Sequence, residues 1–295
     1  MSDLEVTAEF LRGNPLPLPQ GEVDKDARGR VMVVGGHREV PGAALLAAVS
    51  VLRAGAGKVQ VATCQSAALA LGMAIPEARV FGLSETESGD IEAANAQAIV
   101  ARTLDGEIML LGPGMLDGAE AGQLAGSILS SLSEQNFVVD AAALTGLAGQ
   151  HDLFPRHAGR TVITPHAGEM ASFLDVPIEE VQDDPVGAAR QAAEATGAMV
   201  ILKGSCTHIA VPHGEVWQCR QGNVGLATSG SGDTLAGVIA GLMARGAAPL
   251  LAAQWGVYLH AEAGQRLRQK HGLLGYLARE IPAEIPAIMR DFGGA

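Results

Sequence analysis

The stretch ATSGSGD, residues 227–233, sets an acid behind a run of small residues and ahead of the apolar segment TLAGVIAG. That segment predicts a helix over 234–241, so the amides around Gly232 would point outward at a helix start, which suits a phosphate. Gly230 and Gly232 let the backbone turn sharply and let another molecule approach it closely. Asp233 would then be the working acid of a site. The same residues also describe an ordinary helix cap, because Asp is a favoured N-cap and Gly-Ser runs are common loops. From this stretch alone both readings stand.

Other loops carry similar alternatives. VILKGSCT (200–207) delivers Lys203 and Gly204 from a buried run, and an ammonium there is costly unless it meets an anion or reaches water. VITPHAGEM (162–170) breaks a strand at Pro165, and His166 and Glu169 then fall on adjacent faces of a first helical turn. Glu169 equally suits the positive end of that helix, and His166 a structural role. The H-x-x-E spacing is not H-E-x-x-H, so zinc gains no support. LLGPGM (110–115) is either the wall of a site or a tight turn. GGHREVPGA (35–43) is not G-x-G-x-x-G, and GAGKV (55–59) lacks the Ser/Thr and first glycine of a P-loop.

The elements that must position these residues are readable as a rhythm of strand, glycine-rich turn and helix. Strands are expected at 31–36, 58–63, Glu107–Leu111, Phe137–Asp140, Thr161–Thr164 and Met199–Leu202, with HIAVPHGEVWQC (208–219) as a hairpin. Helices are expected over 42–57, Ile91–Thr103, Ala119–Leu132 and Pro185–Thr196, and for most of the chain after Asp233. Continuous apolar strands separated by helices predict an α/β fold with a parallel sheet covered on both faces. Ligands of such sheets sit at the carboxyl ends of the strands, where the loops above fall. Residues 1–23 read as an extended arm, and 24–295 as one domain without linker or repeat.

Composition fits that picture. Of 295 residues, 48% are hydrophobic but only 3% aromatic, so the core must be built of Ala, Val, Leu and Ile. The net charge of −12 argues against nucleic acid or an anionic membrane as partner, though a local cluster of amides and one Lys can still bind an anion. Three cysteines without a C-x-x-C pair, and an acidic start without a signal pattern, predict a reduced, cytoplasmic protein.

Taken together, TPHAGE, the Lys-Gly step of LKGSCT, and GNVGLATSGSGDTLAGVIAGL resemble the ADP/ATP-dependent NAD(P)H-hydrate dehydratases. The runs GRVMVVGG, PGAALLAAVSVLRAGAGKV and LLGPGM extend the resemblance from about Asp24 to about Arg290. Ala167, Val224 and Ser229 depart from the family's usual residues without touching the key groups. The resemblance implies a ribokinase-like three-layer α/β/α fold, ADP (or ATP) as phosphoryl donor and Mg²⁺, for which no ligand set is legible. Asp233 would be the general base, with Gly230, Ser231 and Gly232 forming an anion hole. Lys203, Gly204, Ser205, Cys206 and Thr207, with Gly232, would hold the nucleotide. Ala43, Gly114, His166 and Asp233 would contact the hydrated cofactor, supported by Glu169 and Asn223. It further implies a separate epimerase as functional partner and a homotetramer. The alternative within the fold is a small-molecule kinase of the hydroxymethylpyrimidine or thiazole type.

Overall fold

Strands such as VMVV and IMLL are apolar at every position, so each must be covered on both faces. The computed structural model describes residues 4–18, 25–116 and 118–293. Its first half comprises β1 (Leu4–Glu5), α1 (Ala8–Gly13), β2 (Arg30–Val34), α2 (Pro41–Arg53), β3 (Lys58–Cys64), α3 (Gln65–Ala74), β4 (Arg79–Leu83), α4 (Ala96–Val100), β5 (Ile108–Leu111), α5 (Gly118–Ser131), β6 (Phe137–Val139) and α6 (Ala141–Thr145). The second comprises β7 (Thr161–Ile163), α7 (Ala167–Leu174), α8 (Ile178–Asp183), α9 (Pro185–Thr196), β8 (Met199–Leu202), β9 (Thr207–Ala210), β10 (Val216–Cys219), α10 (Ser231–Ala244), α11 (Pro249–His271) and α12 (Ile281–Asp291).

The strands form one sheet in the order β1-β10-β9-β8-β7-β6-β5-β2-β3-β4. Every pairing is parallel except those of β9, which runs antiparallel to β8 and β10 as the hairpin expected at 208–219. Strand alternation splits the core into two layers. Val31, Val33, Ile108 and Leu110 face α2, α10, α11 and α12, whereas Met32, Val34, Met109 and Leu111 face α5, α7 and α9. The result is the expected three-layer α/β/α arrangement.

Chain order reverses between β2 and β5, which sets a topological switch point in the sheet. Its two loops interlock there: the Gly36 amide donates to the Pro113 carbonyl at 2.7 Å. Over the central strands β2, β5 and β6, α10 lies unusually close to α2. A Cβ on Gly237 would strike the Ala47 carbonyl and come within 2.7 Å of Ser50 Cβ, so only a glycine permits this approach.

Some expectations need correction. The N-terminal segment, expected to be extended, contains the edge strand β1 and the helix α1, because Leu11 is buried in the core and Trp255 Nε1 donates to the Asn14 carbonyl. The helix expected over Ile91–Thr103 is regular only in α4. Its start is held back by the Asn95 side chain, which donates to the Ser84 and Glu92 carbonyls, and by Glu120, which accepts from the Ala93 amide. β4 and α3 were not expected, since RVFGL is short and only partly buried at the sheet edge.

The helix contact is testable. Ala is the better helix former than Gly by about 1 kcal/mol. Gly237→Ala should nevertheless lower stability by about 1–3 kcal/mol in urea unfolding, through overpacking against α2. A gain in stability would contradict the close approach.

Candidate active site

Above the carboxyl ends of β6, β7 and β8 lies a cavity of about 830 Å³, a size that suits a nucleotide-like ligand. Its polar end is lined by Asp140, His166, Glu169, Lys203, Ser231 and Asp233, and its apolar end by Leu226, Leu235, Val257 and Ala261. Asp140, His166 and Lys203 arrive by one local rule, the end of a strand releasing the next residues into the cavity, whereas Ser231 and Asp233 come from the start of α10.

Lys203 follows β8 and sits half-buried, with Nζ 3.0 Å from Asp140 Oδ1 and 3.5 Å from Glu169 Oε2. Burial alone would push the ammonium toward neutrality, but the two carboxylates outweigh it and hold its pKa above the usual lysine value. Asp140 follows β6 and is almost fully buried; its Oδ1 also accepts from Thr164 Oγ1 at 2.6 Å. The residue after it, Ala141, lines the cavity at φ 50°, a left-handed conformation that costs a non-glycine about 1–2 kcal/mol.

The two helices that point into this space begin differently. α7 is fully capped: His166 Nδ1 accepts from the amides of Gly168 at 3.0 Å and Glu169 at 3.2 Å, while Glu169 Oε2 accepts from the His166 amide at 2.7 Å. This is a capping box with histidine in place of the usual hydroxyl. With Nδ1 held as an acceptor, the ring's proton sits on Nε2, 3.5 Å from Glu169 Oε1. α10 is the opposite case. Its N-cap is Gly230 at φ 86°, and among the described residues no side chain caps it. Helix geometry therefore leaves the amides of Gly232 and Asp233 for a ligand, at the positive end of a 14-residue dipole.

Asp233 is thus the third residue of α10, not its cap, which corrects one of the two readings offered by the sequence. The helix begins at Ser231 because Gly230 makes the turn, and Ser231 N donates to the Thr228 carbonyl at 3.2 Å. Burial pushes the Asp233 carboxyl up to about 7; the charges of Asp140 and Glu169 push the same way, while Lys203 and the Gly114 amide oppose them. Gly232 brings the helix start against Lys203, since a Cβ there would lie 3.3 Å from Nζ.

The remaining residues singled out from sequence are distributed as follows. Gly204, Ser205 and Thr207 line the cavity beside Lys203, but Cys206 does not, its Sγ facing Gln218 Oε1 at 3.9 Å. Gly114, at φ 71°, offers its amide to Asp233 and touches Ala43, whose Cβ a Gly114 Cβ would meet at 2.6 Å. Asn223 lines the rim, its Oδ1 accepting from the Gly225 amide and the Tyr276 hydroxyl, each at 2.9 Å. Sequence reading missed Asp140, Thr164 and His260. FVVD ends a buried strand in an acid and offered a usable signal; His260, in the middle of α11, offered none.

Comparison with known proteins finds relatives across nearly the whole chain. The profile of the NAD(P)H-hydrate dehydratase family matches residues 31–287. The ADP-dependent (S)-NAD(P)H-hydrate dehydratase of Xanthomonas campestris is 44% identical over 290 residues, covering 96% of this chain and 95% of its own. Among solved structures, a ribokinase-like superfamily protein of Enterococcus faecalis superposes with a TM-score of 0.85 at 26% identity, over 99% of this chain and 97% of its own. The ADP/ATP-dependent NAD(P)H-hydrate dehydratase of Bacillus subtilis, co-crystallised with ATP/Mg²⁺, superposes at 0.80 with 27% identity, over 99% of each chain.

The electrostatics make a direct prediction. The carboxyl ¹³C signal of Asp233 should titrate with a midpoint near 7 rather than at the ordinary 3.8. Asp140→Asn removes a negative neighbour and should lower that midpoint. A wild-type midpoint near 4 would refute the environment described.

Proposed function

The chain belongs to the NAD(P)H-hydrate dehydratase family, and on that premise we propose that it is an ADP-dependent (S)-NAD(P)H-hydrate dehydratase, restoring hydrated NADH or NADPH to the reduced cofactor. One juxtaposition carries the reading: Asp233, with a pKa near 7, lies in the first turn of an uncapped helix and beside Lys203. An acid, an anion hole and a cation placed together are what transfer of a phosphoryl group to a hydroxyl requires.

In the proposed reaction the ring hydroxyl left by hydration attacks the β-phosphorus of ADP. Its O–P bond forms as the P–O bond to AMP breaks, and its proton passes to the Asp233 carboxylate. The ring-nitrogen lone pair then expels phosphate by breaking the C–O bond, and a proton leaves the neighbouring ring carbon. NAD(P)H, AMP and phosphate result. The amides at Gly230–Gly232 would stabilise charge on the phosphoryl oxygens. Lys203, Gly204, Ser205 and Thr207 would hold the nucleotide, with Cys206 contributing through its backbone. Ala43, Gly114 and His166 would face the hydrate, with Glu169 and Asn223 fixing His166 and the rim loop.

Mg²⁺ finds no cage of protein ligands: among the described residues no group of three His, Cys, Asp or Glu side chains is placed to hold a metal ion. Asp140 and Glu169 are already engaged with Lys203. Any magnesium ion is therefore proposed to accompany the nucleotide phosphates. The name of the Xanthomonas relative supports ADP as donor. Among the described residues no helix is long and apolar enough to cross a membrane. A cytoplasmic homotetramer working beside a separate epimerase completes the proposal, by resemblance to the family.

The reaction is checked by adding the hydrate with ADP, or with ATP, and following the reduced-nicotinamide absorbance. Recovery with ADP is expected; none with either nucleotide would overturn the proposal. A kinase of the same fold would instead accumulate a stable phosphorylated product.

Asp233→Asn should lower kcat about 10²–10⁴-fold while the Kd for ADP stays within about threefold. Because the base acts deprotonated, kcat/KM should fall on the acid side of a midpoint near 7. A flat profile between pH 5 and 9 would remove Asp233 from the role.

A further inference from the structure

His260 lies in the middle of α11, lines the cavity and reaches across to the first residue of α10. Its Nε2 is 3.0 Å from Ser231 Oγ and 3.1 Å from the Ser231 carbonyl oxygen. A carbonyl oxygen only accepts, so Nε2 must carry the proton and donate. One N–H then serves both Ser231 oxygens, and the hydroxyl is left to donate its own hydrogen elsewhere. Ser231 is only 6% exposed, and the space it lines is the cavity. Its carbonyl also accepts from Thr234 Oγ1 at 2.7 Å, which ties the residue to the first turn.

We infer that His260 is a positioning residue whose Nε2–H turns the Ser231 hydroxyl into the cavity, so that Ser231 donates to the transferring phosphoryl group alongside the amides of Gly232 and Asp233. The inference rests on the phosphoryl-transfer reading above and adds a side-chain donor, and the residue that aims it, to the anion hole. The role needs a neutral ring with one fixed tautomer. Burial supplies the neutrality by pushing the imidazole down to about 4; the Ser231 contact opposes this and the Lys203 charge adds to it. A serine hydroxyl with a free choice of acceptor would turn toward whichever group is nearest. With the imidazole donating to its oxygen, that choice is narrowed to the cavity.

The test compares Ser231→Ala, His260→Ala, His260→Gln and the Ser231→Ala/His260→Ala double variant with the wild-type chain. Orthophosphate is titrated into the AMP-loaded protein, and kcat and KM for ADP are measured separately. Loss of one hydrogen bond to a charged group should weaken orthophosphate and lower kcat about 10- to 100-fold in Ser231→Ala and in His260→Ala. KM for ADP and AMP affinity should stay within about threefold. The double variant should lose no more than the worse single one, and His260→Gln, whose amide can donate at similar reach, should recover most of the loss. Imidazole ¹⁵N spectra should report His260 neutral and protonated on Nε2.

Additive losses, wild-type orthophosphate affinity in His260→Ala, losses confined to KM, or a ring protonated on Nδ1 would each overturn the inference. If His260→Ala fails to fold, His260→Gln and the ¹⁵N spectrum decide the matter. If the wild-type chain fails to regenerate NADH, the functional reading falls alone, and the orthophosphate titration still judges the placement of Ser231.

Discussion

Among the described residues lining the cavity, Lys203 is the one lysine or arginine beside three carboxylates, Asp140, Glu169 and Asp233, and the site depends on how their charges settle. Asp140 and Glu169 take the ammonium between them, at 3.0 and 3.5 Å. Asp233 faces the same ammonium and both of these carboxylates, and burial, reinforced by the two negative neighbours, lifts its carboxyl to about 7. The division follows from topology. Asp140 and Lys203 leave strands separated only by β7 in the sheet, Glu169 starts the helix after β7, and Asp233 arrives later from α10. Sheet order thus sets two acids against the lysine and brings the third, the proposed base, from a separate element.

A second constraint is the contrast between two helix starts facing the same space. α7 satisfies its own amides through His166 and Glu169, whereas α10 leaves its amides open. Two open helix ends would have offered an anion competing seats. Closing one with side chains would leave the other for the proposed phosphate, and the cap also fixes Glu169 beside Lys203. His166 accepts amide bonds at Nδ1, so protonating that nitrogen would mean giving up the cap.

Much of this was legible in the sequence, because the parallel sheet writes its apolar runs and glycine turns into short contiguous segments. Strands β2, β3 and β5 to β8, the hairpin and the loops bearing Lys203, His166 and Asp233 could all be placed from local pattern. What escaped depends on distance. Asp233 looks like a cap until Gly230 is seen to make the turn three residues earlier. Asp140 ends an ordinary strand, and only its approach to a lysine 63 residues away gives it a task. His260 touches Ser231 across 29 residues from a helix whose own pattern is uninformative. The N-terminal segment gains its strand and helix only by joining a sheet edge and burying Leu11.

If the open start of α10 takes the nucleotide phosphate, as proposed, binding there would also stabilise the fold. The glycine contact at Gly237 presses this helix against α2, so its first turn belongs to the core and not to a loose lid. An anion that completes the turn binds only the folded form, and at one hundred times its Kd it would add about 2.7 kcal/mol of stability. Protein starved of nucleotide would unfold more often and meet proteases more often.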